Sequence, residues 1–266
     1  MQPPRISASS YSNTAPLVWS FLYGSERGQF ELILDNAPAR SAELLAQKRV
    51  DAALVPVIEY QRIAEVLLVP DVCVGAKETV RSVCLVTKGE DLESVKSVAL
   101  DVSSKTSVAL TKIIFREFLN REPSYKDAKP NLKKMLFDSD CALLIGDPAL
   151  VVDEQVYRKF DLAETWKKFT GFGFVFAMWM ANAENIEVAK TINFAQARNE
   201  GLNHLDEIVA NYETEISLDR DDFKRYLSEN ISYTIDDSMR RGLSLYFELA
   251  RKHRLIKRLK PLQFTN

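Results

Sequence analysis

Ser7-Ala8-Ser9-Ser10-Tyr11-Ser12-Asn13-Thr14-Ala15-Pro16-Leu17 is the stretch on which the reading of this chain turns. A short strand over residues 5–8 is predicted to end here. The polar run stops at Pro16, which suits the first turn of a helix because its φ is pre-set and its missing N–H is not needed there. Hydroxyls and one amide crowd into a few residues without a charge among them. In an open α/β sheet, ligands settle at the carboxyl ends of strands and at the N-termini of the following helices. The loop therefore offers Ser10, Asn13 and Thr14 as uncharged hydrogen-bonding groups beside the positive end of a helix dipole, which suits a small anion such as a carboxylate. The same residue types also cap helices for purely structural reasons, and this stretch alone leaves both roles open.

Working outward, a helix is predicted to start over 17–23, followed by a strand over 30–34 and a helix over 38–48. Residues 51–56 read as a short buried strand ended by Pro56, and 57–63 as a helical turn. This β-α-β-α order with short connections is the pattern of a parallel sheet covered by helices. Strands over 67–74 and 82–87 are rich in Val and Leu, as strands buried on both faces tend to be. Gly89-Glu90-Asp91 breaks the pattern. A second series begins with a strand at 98–101, a polar turn at 102–107, and a helix over 108–119 with Ile114 and Phe118 on one face. It continues with a buried strand at 141–145, a short helix opened by Gly146-Asp147-Pro148, a helix over 161–170 and an apolar strand over 174–180. From residue 186 the spacing is helical, in segments 183–201, 202–212, 221–229 and 236–255.

Two α/β series and a helical tail predict an α/β protein of two lobes. Residues 1–88 and 181–266 would form the first lobe and 89–180 the second. The strand over 174–180 carries the chain back, so two crossings form a hinge and the ligand lies in the cleft between the lobes.

Composition narrows the function. The 266 residues carry a formal net charge of −2 and are 46% hydrophobic, enough for a full core and without the basic bias of a nucleic-acid-binding chain. The basic run 251–260 lies on a predicted terminal helix and reads as a solvated face. Cys73, Cys84 and Cys141 stand in apolar surroundings without metal-ligand spacing, as buried free thiols of a reducing compartment do. The N-terminus has no apolar run of signal-peptide type, and no apolar run reaches the length of a membrane span. A cytoplasmic protein without a membrane or nucleic-acid partner is expected; oligomeric state is not set by the sequence.

Three polar strand-to-helix turns, at 9–14, 103–107 and 146–147, converge on the cleft if the lobes face one another. In the second, Ser104, Thr106 and Ser107 supply more hydroxyls than one cap needs, so ligand binding stands beside capping as an equal reading. Asp147 follows Gly146 at a strand end, where a cap or a ligand role is expected. Ser82 interrupts an apolar run and needs a partner for its hydroxyl, for which backbone is the plainer choice; Arg81 beside it either pairs with a carboxylate or faces solvent. The aromatic run 171–179 reads as core whose first part can line a slot for a ring. His204 and His253 both fall in the helical tail, which leaves the cleft without a histidine base. No Gly-rich phosphate loop, paired-cysteine site or His-Glu-x-x-His is present, and no metal or cofactor is expected.

Five blocks then occur in a fixed order: Ser10 to Leu17 (Ser-Tyr-Ser-Asn-Thr-Ala-Pro-Leu), Leu54 to Tyr60 (Leu-Val-Pro-Val-Ile-Glu-Tyr), Ser104 to Leu110 (Ser-Lys-Thr-Ser-Val-Ala-Leu), Leu144 to Leu150 (Leu-Ile-Gly-Asp-Pro-Ala-Leu) and Phe174 to Trp179 (Phe-Val-Phe-Ala-Met-Trp). Together they resemble the chorismate dehydratases of the futalosine route to menaquinone. That resemblance implies a type II periplasmic-binding-protein-like fold with an interlobe cleft and C-terminal helices, used as a cytoplasmic lyase that removes water from chorismate. It implies Asn13 and Ser82 as the catalytic polar pair, Thr106 and Ser107 as holders of a substrate carboxylate, and Val55 and Pro56, with Leu54, as part of the pocket wall. The chain departs from the family pattern at Lys105, where an arginine is expected, and at Gly171-Phe172-Gly173. Lysine keeps the charge but not the bidentate fork. A sister family, which splits cyclic dehypoxanthine futalosine, resembles this one but carries a histidine in the loop matching Gly146-Asp147. A cytoplasmic small-anion-binding protein of the same two-lobe form is the non-enzymatic alternative.

Overall fold

A computed structural model describes residues 3–265. Its ten strands are β1 (Arg5–Ser9), β2 (Glu31–Asp35), β3 (Ala52–Pro56), β4 (Val66–Ala76), β5 (Val83–Thr87), β6 (Ser97–Asp101), β7 (Ser124–Ala128), β8 (Cys141–Ile145), β9 (Arg158–Asp161) and β10 (Phe174–Asn182). They form two five-stranded sheets, ordered β2-β1-β3-β10-β4 and β7-β6-β8-β5-β9. In each sheet three strands are parallel, with Ile6 opposite both Leu32 and Ala52 in one and Val98 opposite both Tyr125 and Cys141 in the other. A strand from the crossing segments then inserts antiparallel next to them. Met178 of β10 lies opposite Val55 and Cys73, and Leu85 of β5 opposite Leu143 and Phe160.

These sheets correct the expected lobe boundaries. β5 belongs to the second sheet although it precedes residue 88, and β10 belongs to the first although most of it precedes 181. The crossings therefore fall between Ala76 and Val83 and between Thr170 and Phe174. Both inserted strands are almost wholly buried, so their apolar sequence shows that they are central without showing to which sheet they belong. β7 and β9 are sheet edges with exposed polar residues. They lack the apolar signature of a strand, as edges commonly do, and neither stands out in the sequence.

Helices Ala15–Leu22 and Pro38–Ala46 follow β1 and β2, and helix Lys105–Ile113 follows β6, each opening at the carboxyl end of a strand. The tail is more broken than its periodicity predicts, with helices Ile186–Lys190, Phe194–Asn203, Leu205–Tyr212, Arg220–Arg225 and Asp237–Lys252. Helix Phe194–Asn203 packs on the N-terminus of helix Ala15–Leu22. Gly201 permits that approach, because a Cβ there would overlap the Pro16 carbonyl. The long helix Asp237–Lys252 touches both lobes, with Arg240 bonded to Asp71 of β4 in the first at 2.6 Å. Its Tyr246 hydroxyl donates to the Thr106 carbonyl at 3.0 Å, and Lys252 and His253 reach Glu117 at 2.7 Å each. The tail thus braces the pair of lobes rather than completing the first alone. One hydrophobic cluster runs through both lobes, and a smaller one covers the outer face of the second sheet.

Candidate active site

A cavity of about 50 Å³ lies between the lobes. Its polar wall is Ser9, Tyr11, Asn13 and Thr14 from the loop after β1, and Ser104 and Ser107 from the turn after β6. Its apolar wall includes Leu54, Pro56, Val74, Val83, Ile145 and Phe176, with Gly146 at the third turn. Among the described residues, none that lines the cavity carries a charge. One wall is apolar and the other carries hydroxyls and an amide, a division of surface that suits a ligand with an apolar ring and oxygen substituents.

The predicted residues divide by position. Asn13, Thr14, Pro56, Ser104, Ser107 and Gly146 line the cavity. Ser10 does not: its hydroxyl donates to Asn36 Oδ1 at 3.3 Å, and it borders an outer cavity of about 420 Å³ on the other side of the loop. Val55 does not either, because successive residues of β3 point to opposite faces and Leu54 and Pro56 take the cleft face. Thr106 is fully buried and its hydroxyl is committed, accepting the Ile58 N–H across the cleft at 3.2 Å. Ser104 does the capping foreseen for this turn and also lines the cavity. It caps helix Lys105–Ile113 by accepting the Ser107 N–H at 3.4 Å, and it lies 3.0 Å from the Ser107 hydroxyl at the cavity.

Asp147 joins the lobes. Its carboxylate accepts the Ser12 N–H at 3.3 Å and the Ser12 hydroxyl, and burial pushes its pKa above the ordinary carboxylate value. Beside it, Gly146 holds φ +65°, and the Tyr11 ring packs where its Cβ would stand. Only glycine permits both the backbone angle and this contact. The main chain also ties the lobes, with Ala39 N–H on the Ser103 carbonyl at 3.2 Å.

Ser82 lies one layer behind the cavity wall, in the crossing segment rather than in β5. Its hydroxyl donates to the Val80 carbonyl at 3.3 Å, and its carbonyl accepts the Gly146 N–H at 2.7 Å. The backbone partner expected for a buried serine is thus present. Arg81 adopts φ +60°, an uncommon conformation for a residue with a Cβ. Four hydrogen bonds hold the segment there. Asp161 accepts the N–H groups of Val80 and Arg81 at 3.0 and 2.6 Å, while the Arg81 guanidinium grips Asp222 with bonds of 3.1 and 2.7 Å. Burial raises the Asp161 pKa against the four backbone N–H groups that pull it down.

Sequence reasoning placed Ser9 and Tyr11 in the polar turn at 9–14 without singling them out, and passed over Val74, Val83 and Ile145 in the wall. The last two flank predicted polar positions at strand ends, and that placement was the available signal. It also passed over Tyr226, whose hydroxyl faces Ser82 and Asn13; the tail offers only helical periodicity there. The histidines lie elsewhere. His204 stacks on Trp19 at 3.8 Å, and His253 pairs with Glu117. The three cysteines are free and buried, with the Cys73 and Cys84 thiols pushed up to about 12 by desolvation. No helix of the described residues is long and apolar enough to cross a membrane.

Two mixed sheets, two chain crossings and a cavity between them define a two-lobe fold of the periplasmic-binding-protein kind. Solved structures agree. A protein from Archaeoglobus fulgidus superposes with a TM-score of 0.72 at 14% identity, covering 95% of this chain and 98% of that one. The aliphatic sulphonate binding protein SsuA from Escherichia coli does so with a TM-score of 0.66 at 14% identity, covering 99% and 94%. The chain belongs to the menaquinone biosynthesis family, whose model matches residues 4–252. It is 30% identical over 267 residues to a chorismate dehydratase from Thermus thermophilus, covering 93% of this chain and 95% of the relative.

Proposed function

We propose that this chain is a chorismate dehydratase, converting chorismate to 3-[(1-carboxyvinyl)oxy]benzoate and water at the head of the futalosine route to menaquinone. The full-length likeness to the Thermus thermophilus enzyme carries this reading, and the uncharged, half-apolar cleft supports it. Chorismate has a ring hydroxyl next to a carbon that bears the enolpyruvyl ether and a hydrogen. Loss of that proton and of hydroxide makes the ring aromatic. The driving force is large, so the protein's work is to position the substrate and exclude other fates.

In this reading the ring lies against Phe176, Pro56 and Leu54. Ser107, with Ser104 and the N–H groups opening helix Lys105–Ile113, holds a substrate carboxylate. Asn13 directs the leaving hydroxyl by hydrogen bonding. With no charged or histidine side chain on the wall among the described residues, a carboxylate of the substrate itself takes the proton. Free, buried thiols and a biosynthetic role favour the cytoplasm.

Incubating the protein with chorismate, with nothing else added, and separating products by chromatography with mass detection tests this. The expected product is one water lighter than chorismate and has the ultraviolet spectrum of a substituted benzoate; Asn13→Ala forms it far more slowly. The fold's likeness to solute-binding proteins supports a second reading, a cytoplasmic small-anion binder. Tight binding of chorismate with its unchanged recovery is the result that selects it. The sister lyase is disfavoured because both histidines lie away from the cavity.

A further inference from the structure

We propose that Tyr226 is a positioning residue of the active site, whose hydroxyl fixes the Asn13 amide and the Ser82 hydroxyl from behind the cleft. This rests on the dehydratase reading for the reaction it serves. The phenol is fully buried, and its oxygen lies outside the cavity wall. It faces Ser82 and Asn13, yet it makes no hydrogen bond of good geometry to any group. A buried hydroxyl without a partner is a cost to the folded state. Phenylalanine would fill the same space without that cost.

The backbone around the ring is also unusual. Tyr226 opens a π-helical turn, Tyr226–Asn230, at the end of helix Arg220–Arg225. Such wide turns are rare and are found often at functional sites. Ahead of it, Phe223 stacks on the ring with centroids 6.1 Å apart, and the Arg81 guanidinium lies 6.0 Å from the ring centroid. Arg81 is in turn clamped to Asp222 on the same helix. The tail helix therefore grips the residue before Ser82 and aims a phenol at Ser82 itself.

The hydrogen-bonding inventory gives that phenol a use. Ser82 now donates to the Val80 carbonyl. When it turns its hydroxyl toward the ligand, Tyr226 supplies the donor that keeps the Ser82 oxygen bonded and strengthens its donation. Accepting one Asn13 N–H also sets which way the amide points, with its oxygen accepting the Thr14 hydroxyl at 3.3 Å and its other N–H left for the substrate. No proton leaves Tyr226 in either role, and Tyr226 does not touch the substrate.

Tyr226→Phe tests the assignment with two readouts. The first is turnover of chorismate by wild type and variant. The expected result is a fall in kcat of about tenfold, the worth of one hydrogen bond made only in the transition state, with KM within about twofold. In a Ser82→Ala background the same change should cost clearly less than in wild type, because one of the hydroxyl's two partners is already gone and only the Asn13 contact is left to lose. The second readout is thermal unfolding without ligand, where Tyr226→Phe should melt at or above the wild-type temperature. Wild-type kcat in the variant, or equal losses in both backgrounds, overturns the proposal. So does a melting temperature lowered by more than about 2 °C, which would make the hydroxyl a structural group. If wild type leaves chorismate unchanged, the reaction reading fails by itself, and the melting comparison still decides whether the hydroxyl was kept at a cost to stability.

Discussion

Thr106 and Ser107 stand side by side at the N-terminus of one helix, and the family resemblance gives them one task. The structure gives them two. Ser107 reaches the cavity, while the Thr106 hydroxyl is taken by the Ile58 N–H and its carbonyl by Tyr246. Ser107→Ala should therefore raise KM for chorismate by roughly tenfold, the worth of one hydrogen bond to a charged group, with little change in melting temperature. Thr106→Val should do the reverse, lowering stability by about 1–3 kcal/mol by stranding a buried N–H, with KM near wild type. Steady-state kinetics and thermal melts on the two variants check this. At this scale the sequence makes Asn13, Ser107 and Gly146 legible, because polar residues after a strand and before a helix have few other uses than caps and ligands. It cannot separate Thr106 from Ser107. That distinction depends on what the opposite lobe brings up to each hydroxyl, and no local pattern encodes it. Tyr226 is illegible for a related reason, since an aromatic residue at helical spacing reads as core whatever its hydroxyl faces.

Among the elements, the crossing between β4 and β5 is the most heavily restrained. Arg81 holds a left-handed backbone conformation that costs about 1–3 kcal/mol, offset by Asp161 below it and Asp222 beside it. The Arg81 guanidinium, first by hydrogen bonding, holds the Asp222 carboxyl below its ordinary value. A carboxyl depressed in the folded state contributes stability that is whole above the unfolded pKa and is lost as pH falls through the depressed one. The gap in melting temperature between wild type and Asp222→Asn should thus be widest near neutrality and close as pH drops below about 4. A gap that stays constant over that range would show that the pair does not titrate with folding. Element types are largely legible from apolar runs and from Pro and Gly punctuation. Sheet membership is not. Both β5 and β10 read as buried strands, but only their pairing shows that each crosses to the other lobe before entering a sheet. The polar edges β7 and β9 lack even the apolar signal.

For the whole molecule, the cavity is the informative quantity. About 50 Å³ is far below the roughly 300–1,000 Å³ of a typical small-molecule pocket, so chorismate cannot be admitted unless the lobes part. Directly across the cleft, the bonds that would have to break are Ser12 to Asp147, Ile58 to Thr106, and Ala39 to Ser103, while Tyr246 to Thr106 and the Glu117 pairs tie the second lobe to the tail. The helix Asp237–Lys252, which touches both lobes, limits how far they swing. Small-angle X-ray scattering should give a larger radius of gyration for ligand-free protein than for protein saturated with chorismate. The same radius with and without bound chorismate would contradict the hinge. The two-lobe plan is legible from the order of α/β series alone, whereas the degree of closure depends on these cross-cleft bonds and is not.

In the mechanism proposed above, an uncharged cleft lets chorismate lose water by its own carboxylate, the protein supplying position and hydrogen bonds. The most direct test of that mechanism is the pH profile of kcat at saturating chorismate, measured from about pH 5.5 to about pH 9 with wild type and Asp147→Asn. Asp147 belongs to the third turn, and burial raises its pKa. On that mechanism the wild-type profile is flat, because a substrate carboxylate is ionised throughout this range, and the variant shows the same flat shape. A limb titrating near neutrality in wild type and missing in Asp147→Asn would place the base on the protein and rule that mechanism out.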